Sequence, residues 1–79
     1  MKIIELDGFI RNMANQYDNT DVSMFKPDTK FREMDEWNSM IVLSVMAMVK
    51  EEYEVSLTGD DFRNSETIEN LYNAVKTKL

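Results

Sequence analysis

The sequence predicts an all-α fold, and three observations predict it. Apolar residues recur at helical spacing in three separate segments, residues able to cap a helix stand before the later ones, and the sole proline lies in a stretch without any period. In the first segment Ile3, Leu6, Ile10, Met13 and Tyr17 share one face with Phe9 beside them, while Glu5, Asp7, Arg11 and Asn15 fall elsewhere around the axis. A first helix over Lys2 to Tyr17 follows. Gly8 sits inside it at a cost of about 1 kcal/mol relative to alanine, and the plainest use of its missing side chain is a space-saving contact. Asp18 to Trp37 shows no sustained period, and Pro27 biases Lys26 away from helical angles, so this stretch reads as one long connection. Val22, Met24, Phe25, Phe31, Met34 and Trp37 are enough apolar groups to pin it onto the helices, with room for a short turn of helix.

The second helix is predicted from Ser39 to Tyr53, with Asn38 as the cap whose side-chain oxygen accepts an otherwise orphan backbone N–H. At about 100° per residue, Lys50, Glu51 and Glu52 spread over one broad arc, and the arc they leave holds Val42, Val45, Met46, Val49 and Tyr53, the expected core face. By the same construction Met40, Ile41, Ser44, Ala47, Met48 and Glu51 lie largely on the other side, an apolar surface suited to a partner or a cargo. After a short link from Glu54 to Leu57, Thr58-Gly59-Asp60-Asp61 resembles a capping box with aspartate in place of glutamate, opening a brief third helix that contains Phe62. Ser65 or a neighbour then caps a last helix with the stripe Ile68, Leu71, Tyr72, Val75 and Leu79. Glu66 and Glu69 near its start and Lys76 and Lys78 near its end suit the helix dipole.

Composition narrows the function. The 79 residues suit a single domain near the size at which one core suffices, and the absence of cysteine leaves helix packing to stabilise it. Fifteen acidic and nine basic side chains give a net charge of −6, which repels nucleic-acid phosphates and anionic membranes and favours basic partners. Without Cys or His, the usual zinc ligand sets, histidine bases and Ser-His-Asp triads are impossible, so no metal and no catalytic residue is expected. No apolar run reaches the roughly 18 residues that span a bilayer, and Lys2, Glu5 and Asp7 interrupt any secretory leader, so a cytoplasmic protein is expected. Asp18, Thr20 and Asp21 lack the glycine and the terminal glutamate of a calcium loop.

One junction carries a more specific signal. Trp37-Asn38-Ser39-Met40 opens the long uncharged stretch Met40 to Val49, and it sets a serine hydroxyl where an acidic loop becomes a helix. A serine in a first helical turn stays exposed, and the N–H groups and dipole beside it favour a phosphate. Asn38 and Ser39 are equally an ordinary helix start.

Asn38-Ser39-Met40 stands ahead of a helix closing on Glu51-Glu52-Tyr53, followed by the link Val55-Ser56-Leu57 and by Thr67-Ile68. This series resembles the acyl carrier protein family, including its stand-alone aminoacyl and peptidyl carriers, over almost the whole chain. The resemblance implies a four-helix acyl-carrier-like bundle with three longer helices, a short third helix and a long loop between the first two. It also implies that the hydroxyl of Ser39 receives 4′-phosphopantetheine from coenzyme A on a separate phosphopantetheinyl transferase, and that the arm then carries acyl or aminoacyl groups as thioesters. A chain with no cysteine would so gain a thiol. The implied partners are that transferase and acyl-loading or acyl-processing enzymes such as a ketosynthase, an acyltransferase or an adenylating enzyme. The carrier itself would be a non-catalytic monomer. Asn38, Met40, Ile41, Ser44, Met48 and Glu51 are the residues expected to meet these partners.

The chain departs from the family's pattern in places. Asn38 replaces the usual aspartate before the serine, Met40 the usual leucine, and Glu36 the glycine often found three residues before the serine. The second helix also lacks the acidic exposed side of the fatty-acid-synthesis carriers, holding Ile41, Ser44 and Lys50 with Glu51 retained, so steering by charge should be weaker and apolar docking stronger. A dedicated lipid, polyketide or peptide pathway is the subclass this suggests. The alternative function is an unmodified helical interaction module that binds a protein through Met40, Ile41 and Met48. Other residues carry two readings each: Met46 as cargo lining or core, Trp37 as a buttress for the arm or an anchor for the loop, and Glu33, Asp35 and Glu36 as an attraction for a basic transferase or a solvated cluster.

Overall fold

The computed structural model describes residues 4–79. Among these residues four α-helices form and no strand: α1 Leu6–Ala14, α2 Ser39–Tyr53, α3 Gly59–Arg63 and α4 Ile68–Thr77. Single 3₁₀ turns at Val22–Met24 and Phe31–Glu33 interrupt the long connection from α1 to α2. The expected all-α layout of long helix, long loop, long helix, short helix and helix is therefore present, and no helix is long and apolar enough to cross a membrane among the described residues.

α1 is shorter than its periodicity predicts. Lys2 and Ile3 lie outside the described residues, and at the other end the ladder tightens after Ala14, where Gln16 N–H donates to Met13 O at 3.0 Å and Tyr17 N–H to Ala14 O at 3.0 Å. Tyr17 stays buried in spite of this, packed against Phe25 with ring centroids 4.8 Å apart. The expected space-saving role of Gly8 fails: a Cβ built there meets nothing within 4 Å, so the residue faces open space.

Phe9 and Met13 of α1, Val45 and Val49 of α2, Phe31 of the connection, and Ile68, Leu71 and Val75 of α4 are completely buried. Each contributes on the order of 1.5–3 kcal/mol by leaving water. Phe9 stands between Tyr53 and Tyr72, at 6.0 and 5.9 Å between centroids, and so joins α1 to the end of α2 and to α4. The phenols keep polar partners at the margin: Tyr53 accepts from Asn12 Nδ2 at 2.9 Å, and Tyr72 donates to Ile4 O at 3.2 Å.

α2 stops where predicted, because Glu54 adopts the left-handed conformation at φ 58° and its N–H closes on Lys50 O at 3.0 Å. Val55 and Leu57 of the link are buried. The Thr58 box is formed as read, with Asp61 N–H donating to Thr58 Oγ1 at 3.2 Å and Thr58 N–H to Asp61 Oδ2 at 2.8 Å. Thr67 caps α4 in place of Ser65, and Asn70 supplies the return bond; Ser65 is instead buried beside the end of α3. Leu79 lies beyond the last turn and is exposed, so it leaves the stripe that Ile68, Leu71 and Val75 complete.

Candidate functional site

The approach to Ser39 is built from three consecutive residues, each held by contacts of its own. Glu36 accepts hydrogen bonds from Asp18 N–H at 3.3 Å, from Asn19 N–H at 2.9 Å and from the Thr20 hydroxyl. Trp37 sets its indole edge-on to Phe31 at 5.0 Å and tilted against Phe62 of α3 at 5.8 Å, while its backbone N–H donates to Met34 O at 3.0 Å. Of its two readings, Trp37 takes that of the loop anchor. Asn38 is fully extended and its Oδ1 accepts Ile41 N–H at 3.0 Å, which makes it the cap its position predicts.

Ser39 follows as the first residue of α2, exposed to solvent. The first N–H groups of any helix have no partner within it. Here Asn38 satisfies those of Ile41, through its side chain, and Val42, through its carbonyl at 3.0 Å. Those of Ser39 and Met40 find no acceptor among the described residues. An exposed hydroxyl therefore stands beside two open donors at the positive end of a 15-residue helix.

The faces of α2 are rotated from the predicted ones. Val45, Val49 and Tyr53 are buried as expected, but Val42 and Met46 are only half-buried, and Met48 is 7% exposed and belongs to the core. Ile41 is half-buried and packs against that core, and Ser44 is half-buried as well. Met48 and Ile41 therefore do not form the outward surface expected of them. Glu52 does not mark a solvent face: at the last turn of the helix its long charged side chain reaches water even near the core arc. The outward face consists of Met40, at 72% exposure, Leu43, at 63%, and Ala47, with Lys50 and Glu51 at its far end. Leu43 was missed by the sequence reading, although Met40, Leu43, Ala47 and Lys50 follow the three-and-four spacing of one helix face.

The connection supplies a further correction. Phe25 and Phe31 are buried and Met34 and Trp37 half-buried, so these four pin the loop, but Val22 and Met24 are largely exposed. A three-residue turn closed by Asp21, whose carboxylate accepts Ser23 N–H at 2.9 Å, points its side chains in different directions, and Phe25 takes the inward place against Tyr17. Glu36 is not merely a solvated charge. The Thr20 hydroxyl first, then the Asn19 and Asp18 N–H groups, hold its carboxyl below the usual range.

Neither curated proteins nor solved structures gave a match to the chain. The family model described as the phosphopantetheine attachment site matches residues 8–75, a span that holds all four helices but the first two residues of α1 and the last two of α4. The group that family carries is 4′-phosphopantetheine, attached covalently. With an all-helical four-helix bundle and a match over most of its length, this chain belongs to the phosphopantetheine-binding carrier family.

Proposed function

We propose that Ser39 is the residue that receives 4′-phosphopantetheine, and that the chain is a single carrier domain serving acyl-processing enzymes. The observation that carries this reading is the start of α2, where an exposed hydroxyl adjoins the open N–H groups of Ser39 and Met40. A phosphodiester fits there, since an anion at a helix N-terminus gains donors and a favourable dipole without displacing any bond of the fold. When attached, the arm supplies the thiol that holds cargo as a thioester.

Asn38 orients the first turn, Trp37 fixes that turn on α3, and the hydroxyl of Ser39 gives up its proton as its oxygen bonds to phosphorus on the transferase. The adenosine bisphosphate of coenzyme A departs in the same displacement. Met40, Leu43 and Ala47 form the surface offered to the transferase and to later enzymes, and Asn38, Ser44 and Glu51 border it. This face is more apolar than acidic, which favours a dedicated lipid, polyketide or peptide pathway whose enzymes present apolar recesses to it. The protein acts as a monomer in the cytoplasm and catalyses no step itself.

The test is intact mass after incubation with coenzyme A and a broad-specificity phosphopantetheinyl transferase. Wild type should gain the mass of the arm, and Ser39→Ala, with unchanged circular dichroism, should gain nothing. The other reading, an unmodified module that docks through Met40 and Leu43, is favoured by the exposure of those two side chains. A folded wild type that gains no mass beside an active control carrier would select it.

A further inference from the structure

Glu36 joins the two ends of the connection. Its carboxylate takes two backbone N–H groups and one hydroxyl from Asp18, Asn19 and Thr20, residues 16 to 18 positions earlier, just beyond the end of α1. It stands directly before Trp37, the residue seated on Phe31 and Phe62, and three residues before Ser39. The exit of α1 and the entrance of α2 are thus fastened to each other by one side chain. A half-exposed carboxylate gains little from burial, so its three donors account for its fixed place.

We propose that Glu36 is a positioning residue for the modification of Ser39: its clasp on Asp18, Asn19 and Thr20 holds the entrance of α2 so that the hydroxyl and the open N–H groups are presented in one fixed arrangement. The inference rests on Ser39 being the modified residue. Positioning acts on the reacting geometry and not on encounter, so its loss is read in kcat more than in KM.

Glu36→Ala, Glu36→Gln, Thr20→Val and the double variant Glu36→Ala/Thr20→Val test it, with transferase kinetics followed by intact mass and backbone amide exchange followed at Asp18 and Asn19. Glu36→Ala should lower kcat roughly tenfold with KM within about twofold. Glu36→Gln, which keeps one carbonyl oxygen for Asn19 and Thr20, should recover part of the loss. Thr20→Val, remote from Ser39 in sequence, should reproduce part of it, and the double variant should be no worse than Glu36→Ala, because both changes break the same clasp. Exchange at Asp18 and Asn19 should quicken in Glu36→Ala while the unfolding midpoint stays close to wild type. A rise in KM alone that salt abolishes would make Glu36 a direct contact of the transferase and overturn the proposal, as would additive losses or an unchanged rate. A wild type that is never modified overturns the carrier reading and this role with it, whereas exchange in the variants still reports whether the clasp exists.

Discussion

The starts of α2 and α4 are built from similar capping residues and end in opposite states. At α4 all four early N–H groups are taken: Ile68 donates to Thr29 O at 3.0 Å, Glu69 to Pro27 O at 2.9 Å, Asn70 to Thr67 Oγ1 at 3.2 Å and Leu71 to Thr67 O at 3.1 Å. At α2, among the described residues, only Ile41 and Val42 are satisfied, both by Asn38, and Ser39 and Met40 stay open. The long connection makes the difference. It lays the carbonyls of Pro27 and Thr29 over α4, whereas none of its carbonyls accepts from Ser39 or Met40 among the described residues. A helix start sealed by protein serves stability, while one left open is free to take an anion.

The seat of Trp37 distinguishes the two starts most sharply. Phe62→Ala removes a buried ring that supports Trp37 and should cost about 3–5 kcal/mol in chemical denaturation. Amide exchange should rise more at Ile41 than at Leu71, and equal increases would show that Trp37 does not govern α2 separately. Next come the caps. Asn38→Ala and Thr67→Ala should each lose about 1 kcal/mol, but only Asn38→Ala should also slow modification by several-fold. If Thr67→Ala slows it as much, the contrast reduces to general stability.

Acid offers a smaller test, through the start of α3. The Thr58 N–H, with Lys78 Nζ 3.3 Å away as a lesser influence, holds the Asp61 carboxyl below the usual range. A carboxyl lowered in the folded state stabilises above its unfolded pKa of about 3.9, and that contribution fades as pH falls through the lower folded value. Asn38 has no proton to gain. On acidification the amide of Asp61 should therefore lose protection before that of Ile41, and Asp61→Asn should abolish the order. The smallest effect belongs to α1, whose cap position, Glu5, makes no side-chain cap bond. Glu5→Ser should raise stability by roughly 0.5 kcal/mol and leave the modification rate unchanged; a change in that rate would mean that the start of α1 is coupled to Ser39.

Much of this was legible in the residues. Asn38, Thr58 with Asp61, and the apolar spacing of α2 and α4 state their helices locally, because a cap and a 3.6-residue period act within a few positions of one another. The place of Ser39 at the first turn of α2 follows from the same local rules. The rotation of α2 does not: Met40 to Val49 has no charge to mark a solvent side, so only the neighbours packed on it decide that Met48 turns inward and Leu43 outward. The cap on α4 is legible only as Ser65 or a neighbour, and Thr67 provides it, since several polar residues in a row offer the same local chemistry.

Local patterns in the sequence specify the four helices found among the described residues, where α2 and α3 begin, and which serine meets solvent at a helix start. Tertiary structure alone decided which helix starts are sealed, which face of α2 is offered outward, and that Glu36 ties α1 to α2. The physical reason is range. Caps and periodicity act between residues a turn apart, whereas the bonds that Ile68 donates to Thr29 and Asn19 to Glu36 join positions whose meeting depends on the whole fold having formed.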